Sequence, residues 1–179
     1  LYKETGDKSY LSEFYPSIKK FIKFQENLLD ENYTITSSLY DWLSTDIEHP
    51  CPVYITSTSY FYSACVMTAE IAHILGDIET ENHYINLSEI VKKRFNDNFV
   101  DANTGKIGTY EYGVQTAQCV PLYHGIVSEE NRKIVAKYLK DSLKDTDGHI
   151  STGTYGTKCI LEILSSYGYL KEAYEMVEK

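Results

Sequence analysis

The stretch 56–75, TSTSYFYSACVMTAEIAHIL, carries a single charge, Glu70, and places apolar or small residues on nearly every face of a helix. A helix without a polar back is covered on all sides. Two later stretches share this character. Segment 113–123 has no charge, and segment 156–167 has only Lys158 and Glu162. The segments between them differ. Over 8–29 an apolar stripe (Leu11, Phe14, Tyr15, Ile18, Phe21, Ile22, Leu28, Leu29) is backed by Glu13, Lys19, Lys20, Lys23 and Glu26. Segment 80–98 repeats the pattern with Tyr84, Leu87, Val91 and Phe95, and 128–144 is the most charged. One stripe with a charged back is a helix wetted on one side. With 169–179 the order runs outer, inner, outer, inner, outer, inner, outer.

The connections alternate too. Links 30–55, 99–112 and 145–155 are long, whereas 76–79, 124–127 and 168 are short. In a row of antiparallel helices every second link emerges on one side, so all the long loops gather on one face. Loops longer than about 12–15 residues in a compact domain are usually functional. Gly6, Gly76 and Gly168 close the inner-to-outer turns, where a residue with φ > 0 is favoured, and each leads to a tyrosine (Tyr15, Tyr84, Tyr174). The glycine spacings are too irregular for a tetratricopeptide array, whose period is 34. The reading is an all-α chain of about three and a half αα-hairpins, close to half of an (α/α)6 toroid. The first residues read as a helix end followed by a glycine turn, and the last stop within a helical pattern. Residues 1–179 are therefore expected to be one segment of a larger six-hairpin helical barrel domain, with parts missing at both ends.

Composition narrows the function. A net charge of −9 argues against nucleic acid, because phosphate binding needs clustered Lys and Arg. No run of about 18 apolar residues encodes a membrane span. Cys51, Cys65, Cys119 and Cys159 show no metal-ligand spacing and read as inert buried thiols. The five histidines form no i, i+4 pair, so neither a metal nor another cofactor is expected. Ser128 is expected to cap the helix that follows it, with Glu129 and Glu130 in the first turn where the dipole favours negative charge. No signal peptide is evident, and the cellular location is left open.

The long loops hold the candidate chemistry. Loop 30–55 carries Tyr40, Asp41, Trp42, Leu43, Asp46, Glu48 and His49, with Pro50 and Pro52 at its exit, and Trp42 is the only tryptophan. An indole beside a carboxylate suits a sugar: the ring stacks on C–H faces and the carboxylate grips hydroxyls. The competing reading is a tryptophan that plugs the core. Loop 99–112 brings Tyr110, Glu111 and Tyr112 ahead of Gln115 at an inner-helix start. Loop 145–155 offers His149, Tyr155, glycines and hydroxyls. Glycoside hydrolysis usually needs two carboxyls, and from this chain alone Asp41 and Glu111 are the pair to consider. Two rivals stay open on these residues: another carbohydrate enzyme on the same toroid, such as a different glycosidase or a polysaccharide lyase, and a helical-repeat scaffold without catalysis.

Five pieces in order carry a resemblance: LYKETGDKSYLSEFYPSIKKFIKF (1–24), DWLSTD (41–46), TSYFYSACVMTAEIAHILGD (58–77), GVQTAQCVPLYHGIVSEENR (113–132) and DGHISTGTYGTKCILEILSSYGYLKEAYEM (147–176). Together they resemble the catalytic (α/α)6 barrel of bacterial α-L-rhamnosidases, glycoside hydrolase family 78, over essentially the whole chain. The resemblance implies an inverting hydrolase that removes terminal α-L-rhamnose from glycosides or polysaccharides. It also implies that the general acid lies upstream of this segment and the general base downstream, so no catalytic residue is expected here and the isolated chain should be inactive. Asp41 and Trp42 match the family's Asp-Trp loop, Gln115 the Gln-Thr-Ala helix start, and His149 with Tyr155 the His-to-Gly-Thr stretch. These five are the expected substrate-binding residues. Tyr40 departs from the glycine common in relatives. Apolar inner faces left open by a half-barrel favour association, so homodimers of the isolated segment are expected.

Overall fold

A computed structural model describes residues 2–37, 41–45, 50–108 and 115–179. A short helix α1 (Tyr2–Thr5) is followed by α2 (Ser9–Glu26), α3 (Val53–Leu75), α4 (Ile78–Phe99), α5 (Gln115–His124), α6 (Glu129–Ser142), a 3-10 turn (Leu143–Thr146), α7 (Thr154–Ser166) and α8 (Leu170–Glu178). Among the described residues the only β pairings are two isolated bridges, Leu29 with Ile35 and Val100 with Ile107. The chain is all-helical, as expected.

The helices form two layers. Inner helices α3, α5 and α7 lie side by side, while α2, α4, α6 and α8 pack behind them. Phe61, Cys65, Phe95, Val120, Leu139, Ile160 and Leu164 from both layers share one core. Each large apolar side chain so enclosed contributes about 1.5–3 kcal/mol of burial free energy. All four cysteines are free and buried.

The expectation that every inner helix is covered all round holds for α5, whose residues from Gln115 to Leu122 are buried. It fails for α3, which exposes Val66 and Met67, and for α7, whose Lys158 and Glu162 reach solvent. The cause is position: α5 has an inner neighbour on each side, whereas α3 and α7 end the row. The outer helix α2 also differs from its single predicted stripe. Tyr15 and Ile22 face the core, but Tyr10, Phe14, Phe21 and Phe24 form a second, exposed stripe.

The turns follow chemistry that the sequence carries. Gly76 ends α3 at φ 79, with its N–H bonded to the carbonyls of Ala72 and His73. Gly125, not counted among the turn glycines above, plays the same part between α5 and α6 at φ 76. Asp77 then caps α4: its Oδ1 accepts from Thr80 N at 3.1 Å, and its Oδ2 accepts from Tyr15 OH at 2.8 Å and Lys19 Nζ at 3.1 Å. Ser128 occupies the N-cap position of α6 in an extended conformation, but its hydroxyl makes no capping bond. Its backbone N–H is held instead by Asn96 Oδ1 at 2.9 Å.

Candidate substrate-binding site

All three long connections dock on the starts of inner helices. From the first, Ile35 N donates to Thr58 Oγ1 in α3 at 3.1 Å. From the second, Ile107 N donates to Gln118 Oε1 at 3.0 Å, and Gln118 Nε2 returns a bond to Ile107 O at 3.1 Å. The third is clamped by Gln115, the first residue of α5. Its Nε2 donates to Thr146 Oγ1 and to His149 O at 3.1 and 3.0 Å, and its Oε1 accepts from Ser151 N at 2.9 Å. The predicted gathering of long loops on one face is thus built from side-chain amides and hydroxyls at the helix N-termini.

Asp41 joins the first loop to the third. The residue is 1% exposed. Its Oδ2 accepts from Thr116 Oγ1 and from Gly153 N, the latter at 2.6 Å. Its Oδ1 accepts from Tyr155 N at 3.1 Å and Gly156 N at 3.3 Å. Three of these donors are backbone N–H groups at the start of α7, which lack partners within the helix, and a negative charge is favoured there. The next residue, Trp42, is 59% exposed. Its carbonyl accepts from Thr154 N at 2.8 Å and Thr154 Oγ1 at 3.1 Å. The peptide is fixed and the indole is open to solvent. Trp42 is therefore no core plug.

Of the five expected residues, then, Asp41 and Gln115 are buried and bonded within the chain, Trp42 and His149 are exposed, and Tyr155 is half-buried beside the same helix start. Tyr40, Asp46, Glu48 and His49 lie outside the described residues, as do Tyr110, Glu111 and Tyr112. Sequence reasoning passed over an aromatic cluster reached through Tyr155. The Tyr155 ring meets Tyr60 edge-on at 5.2 Å between centroids, and Tyr60 lies against His124 at 4.1 Å. Burial holds the Tyr60 hydroxyl up at about 12. The only local signal was that Tyr60 sits on an inner helix with a single charge. Its pairing with residues of α5 and α7 is a tertiary fact.

Among the described residues no cluster of His, Cys, Asp and Glu could hold a metal ion, and no helix is long and apolar enough to cross a membrane.

Two layers of αα-hairpins with a loop cluster over the inner-helix starts define the class: a segment of a helical-hairpin toroid. The chain belongs to the bacterial alpha-L-rhamnosidase six-hairpin glycosidase domain family, whose model matches residues 1–179. It is 28% identical over 182 residues to an alpha-L-rhamnosidase of Formosa agariphila, covering 99% of this chain and 19% of that protein. It is also 28% identical over 179 residues to an alpha-L-rhamnosidase of Streptomyces avermitilis, covering 100% of this chain and 17% of that one. The crystal structure of a Streptomyces avermitilis alpha-L-rhamnosidase complexed with L-rhamnose superposes with a TM-score of 0.86 at 27% identity, over 100% of this chain and 17% of that chain. The alpha-L-rhamnosidase from Dictyoglumus thermophilum gives a TM-score of 0.80 at 31% identity, over 97% of this chain and 20% of that chain. The chain thus spans at most a fifth of these relatives' length.

Proposed function

We propose that this chain is the pocket-wall segment of an α-L-rhamnosidase, an inverting glycoside hydrolase that releases terminal α-L-rhamnose. The observation that carries the proposal is the full-length match to the rhamnosidase domain family, together with a solvent-open Trp42 fixed over the loop-bearing face. An indole of this kind offers a flat apolar surface to a sugar. His149 on the neighbouring loop and Tyr155 in the first turn of α7 complete the proposed contact set, while Gln115 supports that loop from beneath. Asp41 belongs to the same site as a buried carboxylate beneath it.

The expected reaction is a single displacement. An acid protonates the leaving oxygen while a base activates water on the opposite face of the sugar, the two carboxyls standing roughly 6.5–9.5 Å apart. Neither carboxyl is assigned to this chain. That Asp41 is buried with all its acceptor positions engaged supports this, since an acid or base must reach the substrate. The rhamnosidase reading is favoured over another toroid enzyme by the family match, and over a peptide-binding scaffold by the docking of the loops on the inner-helix starts.

The test is hydrolysis of p-nitrophenyl α-L-rhamnoside by the natural reading frame that contains this segment. Wild type should turn over, and Trp42→Ala should lose roughly 10- to 100-fold in kcat/KM, the equivalent of about 1.4–2.8 kcal/mol of transition-state binding. A folded wild type inert toward rhamnoside would sink the proposal. The 179-residue chain alone should show no turnover. We also propose that this isolated chain self-associates through its exposed end faces.

A further inference from the structure

We infer that Asp41 is a positioning residue, a buried bracket that sets Trp42 and Tyr155 as one wall, rather than a group that meets the sugar. The inference rests on the rhamnoside-pocket reading and deepens it. One carboxylate takes hydrogen bonds from two inner helices: Thr116 in α5, and Gly153, Tyr155 and Gly156 at the start of α7. Each oxygen holds two donors, and the residue is 1% exposed. A carboxylate oxygen so occupied has little acceptor capacity left for a hydroxyl. A sugar could bond it only by displacing backbone N–H groups that would then be buried without partners.

The flanking backbone shows what the bracket holds. The Trp42 carbonyl is bonded twice to Thr154, so the Asp41–Trp42 peptide is sewn to residues 153–156. Immediately afterwards Leu43 adopts φ 62. A leucine is strained in that region and persists there only where its surroundings over-determine it. Position 153 is occupied by glycine for a steric reason. A Cβ there would stand 2.6 Å from Asp41 O and 2.8 Å from Asp41 Oδ1, and would also run into the Trp42 carbonyl. The carboxylate, the glycine, the strained leucine and the exposed indole are one device. Trp42 reaches solvent from a backbone tied to the residue before Tyr155, with Asp41 buried beneath.

Trp42 is the only tryptophan of the chain, so its fluorescence reports the wall directly. Time-resolved anisotropy of the 179-residue chain, without sugar, is compared across wild type, Asp41→Asn, Asp41→Ala and Thr116→Val, with helix content followed by circular dichroism. Asn keeps one oxygen for Tyr155 N and Gly156 N but cannot accept from Gly153 N, so it should be intermediate. The amplitude of fast depolarisation should roughly double in Asp41→Ala, with helix content retained. Should Asp41→Ala unfold, the Asn and Val variants carry the same expectation with a smaller increase. Unchanged Trp42 anisotropy in folded variants would overturn the bracket. A separate titration with L-rhamnose, read on the same fluorescence, tests the sugar reading. Wild type that ignores rhamnose counts against that reading and leaves the sugar-free result standing. Loss of rhamnose binding in Asp41→Asn with Trp42 as rigid as in wild type would make Asp41 a direct ligand and end the inference.

Discussion

At the scale of single residues, His124 is the group whose protonation the fold opposes. Its ring lies 4.1 Å from that of Tyr60 and 5.3 Å from that of Tyr123, and its Nε2 is buried without a hydrogen-bond partner among the described residues. Burial, and secondarily the Lys158 cation, lower its pKa from 6.5 to about 4. The folded state therefore refuses a proton that the unfolded chain accepts below about 6.5. The stability held by the neutral ring is complete above that pH and is lost progressively as pH falls toward 4. His124→Phe keeps an aromatic ring in the stack and removes this proton linkage. Relative to wild type, the variant should gain thermal stability between pH 7 and pH 4.5. An equal difference in melting midpoint at both pH values would refute the assignment. This residue was counted in the sequence only as one of five unpaired histidines. Its environment comes from α3, α5 and α7 together, and no local pattern encodes that. Asp41 was picked out for its neighbour Trp42, yet its partners lie 112 to 115 residues further on, or 75 in the case of Thr116. Residue type announced a carboxylate in a long loop, and tertiary geometry decided whether it faces water or a helix end.

Among the elements, the alternation of charged and uncharged helices was readable because burial on one side or on all sides leaves a compositional trace. The boundaries were less so. The helix predicted from residue 56 starts at Val53, since Pro52 stands at the N-cap and proline near a helix start costs little. Phe14 and Phe21 were read into one broad stripe with Tyr15 and Ile22, but the structure buries only part of it. Periodicity gives the width of an apolar face and not which half is covered. The α2–α4 junction permits a sharper test. Asp77 caps α4 and also receives bonds from Tyr15 and Lys19 of α2. Its carboxyl is held well below the usual range, first by the Thr80 backbone N–H and then by the Thr80, Tyr15 and Lys19 side chains. That contribution is present above the ordinary carboxylate pKa and fades as acid protonates the folded form. Asp77→Ala should lower the melting midpoint at pH 7, with Asp77→Asn falling between, because asparagine also caps. If Asn and Ala melted together, the loss would come from charge rather than from the cap.

On the scale of the whole molecule, both ends of the helix row present apolar surface. At one end stand Phe14, Phe21 and Phe24 of α2, interleaved with Lys20 and Lys23. At the other, Leu161, Leu170, Tyr174 and Val177 line a groove of about 230 Å³, with Glu175 and Glu178 on the same helix. Apolar surface at both ends favours association between copies. Sedimentation of the 179-residue chain should show species larger than a monomer, and Phe21→Glu combined with Val177→Glu should shift it toward the monomer. A wild type that stays monomeric at high concentration would exclude this.

The sewing of the Asp41 carboxylate to Gly153 and Gly156, and of the Trp42 carbonyl to Thr154, also orders events in time. During synthesis Trp42 leaves the ribosome well before those partners exist, with 112 residues between Asp41 and Gly153. At roughly 5–20 residues per second that interval is roughly 6–22 s. The α3–α4 hairpin can pair at once, but the indole has no fixed place until α7 begins to wind. The Asp41–Trp42 bracket therefore closes only once residues 153–156 are made, and a nascent chain halted before residue 153 has α2 to α6 without it.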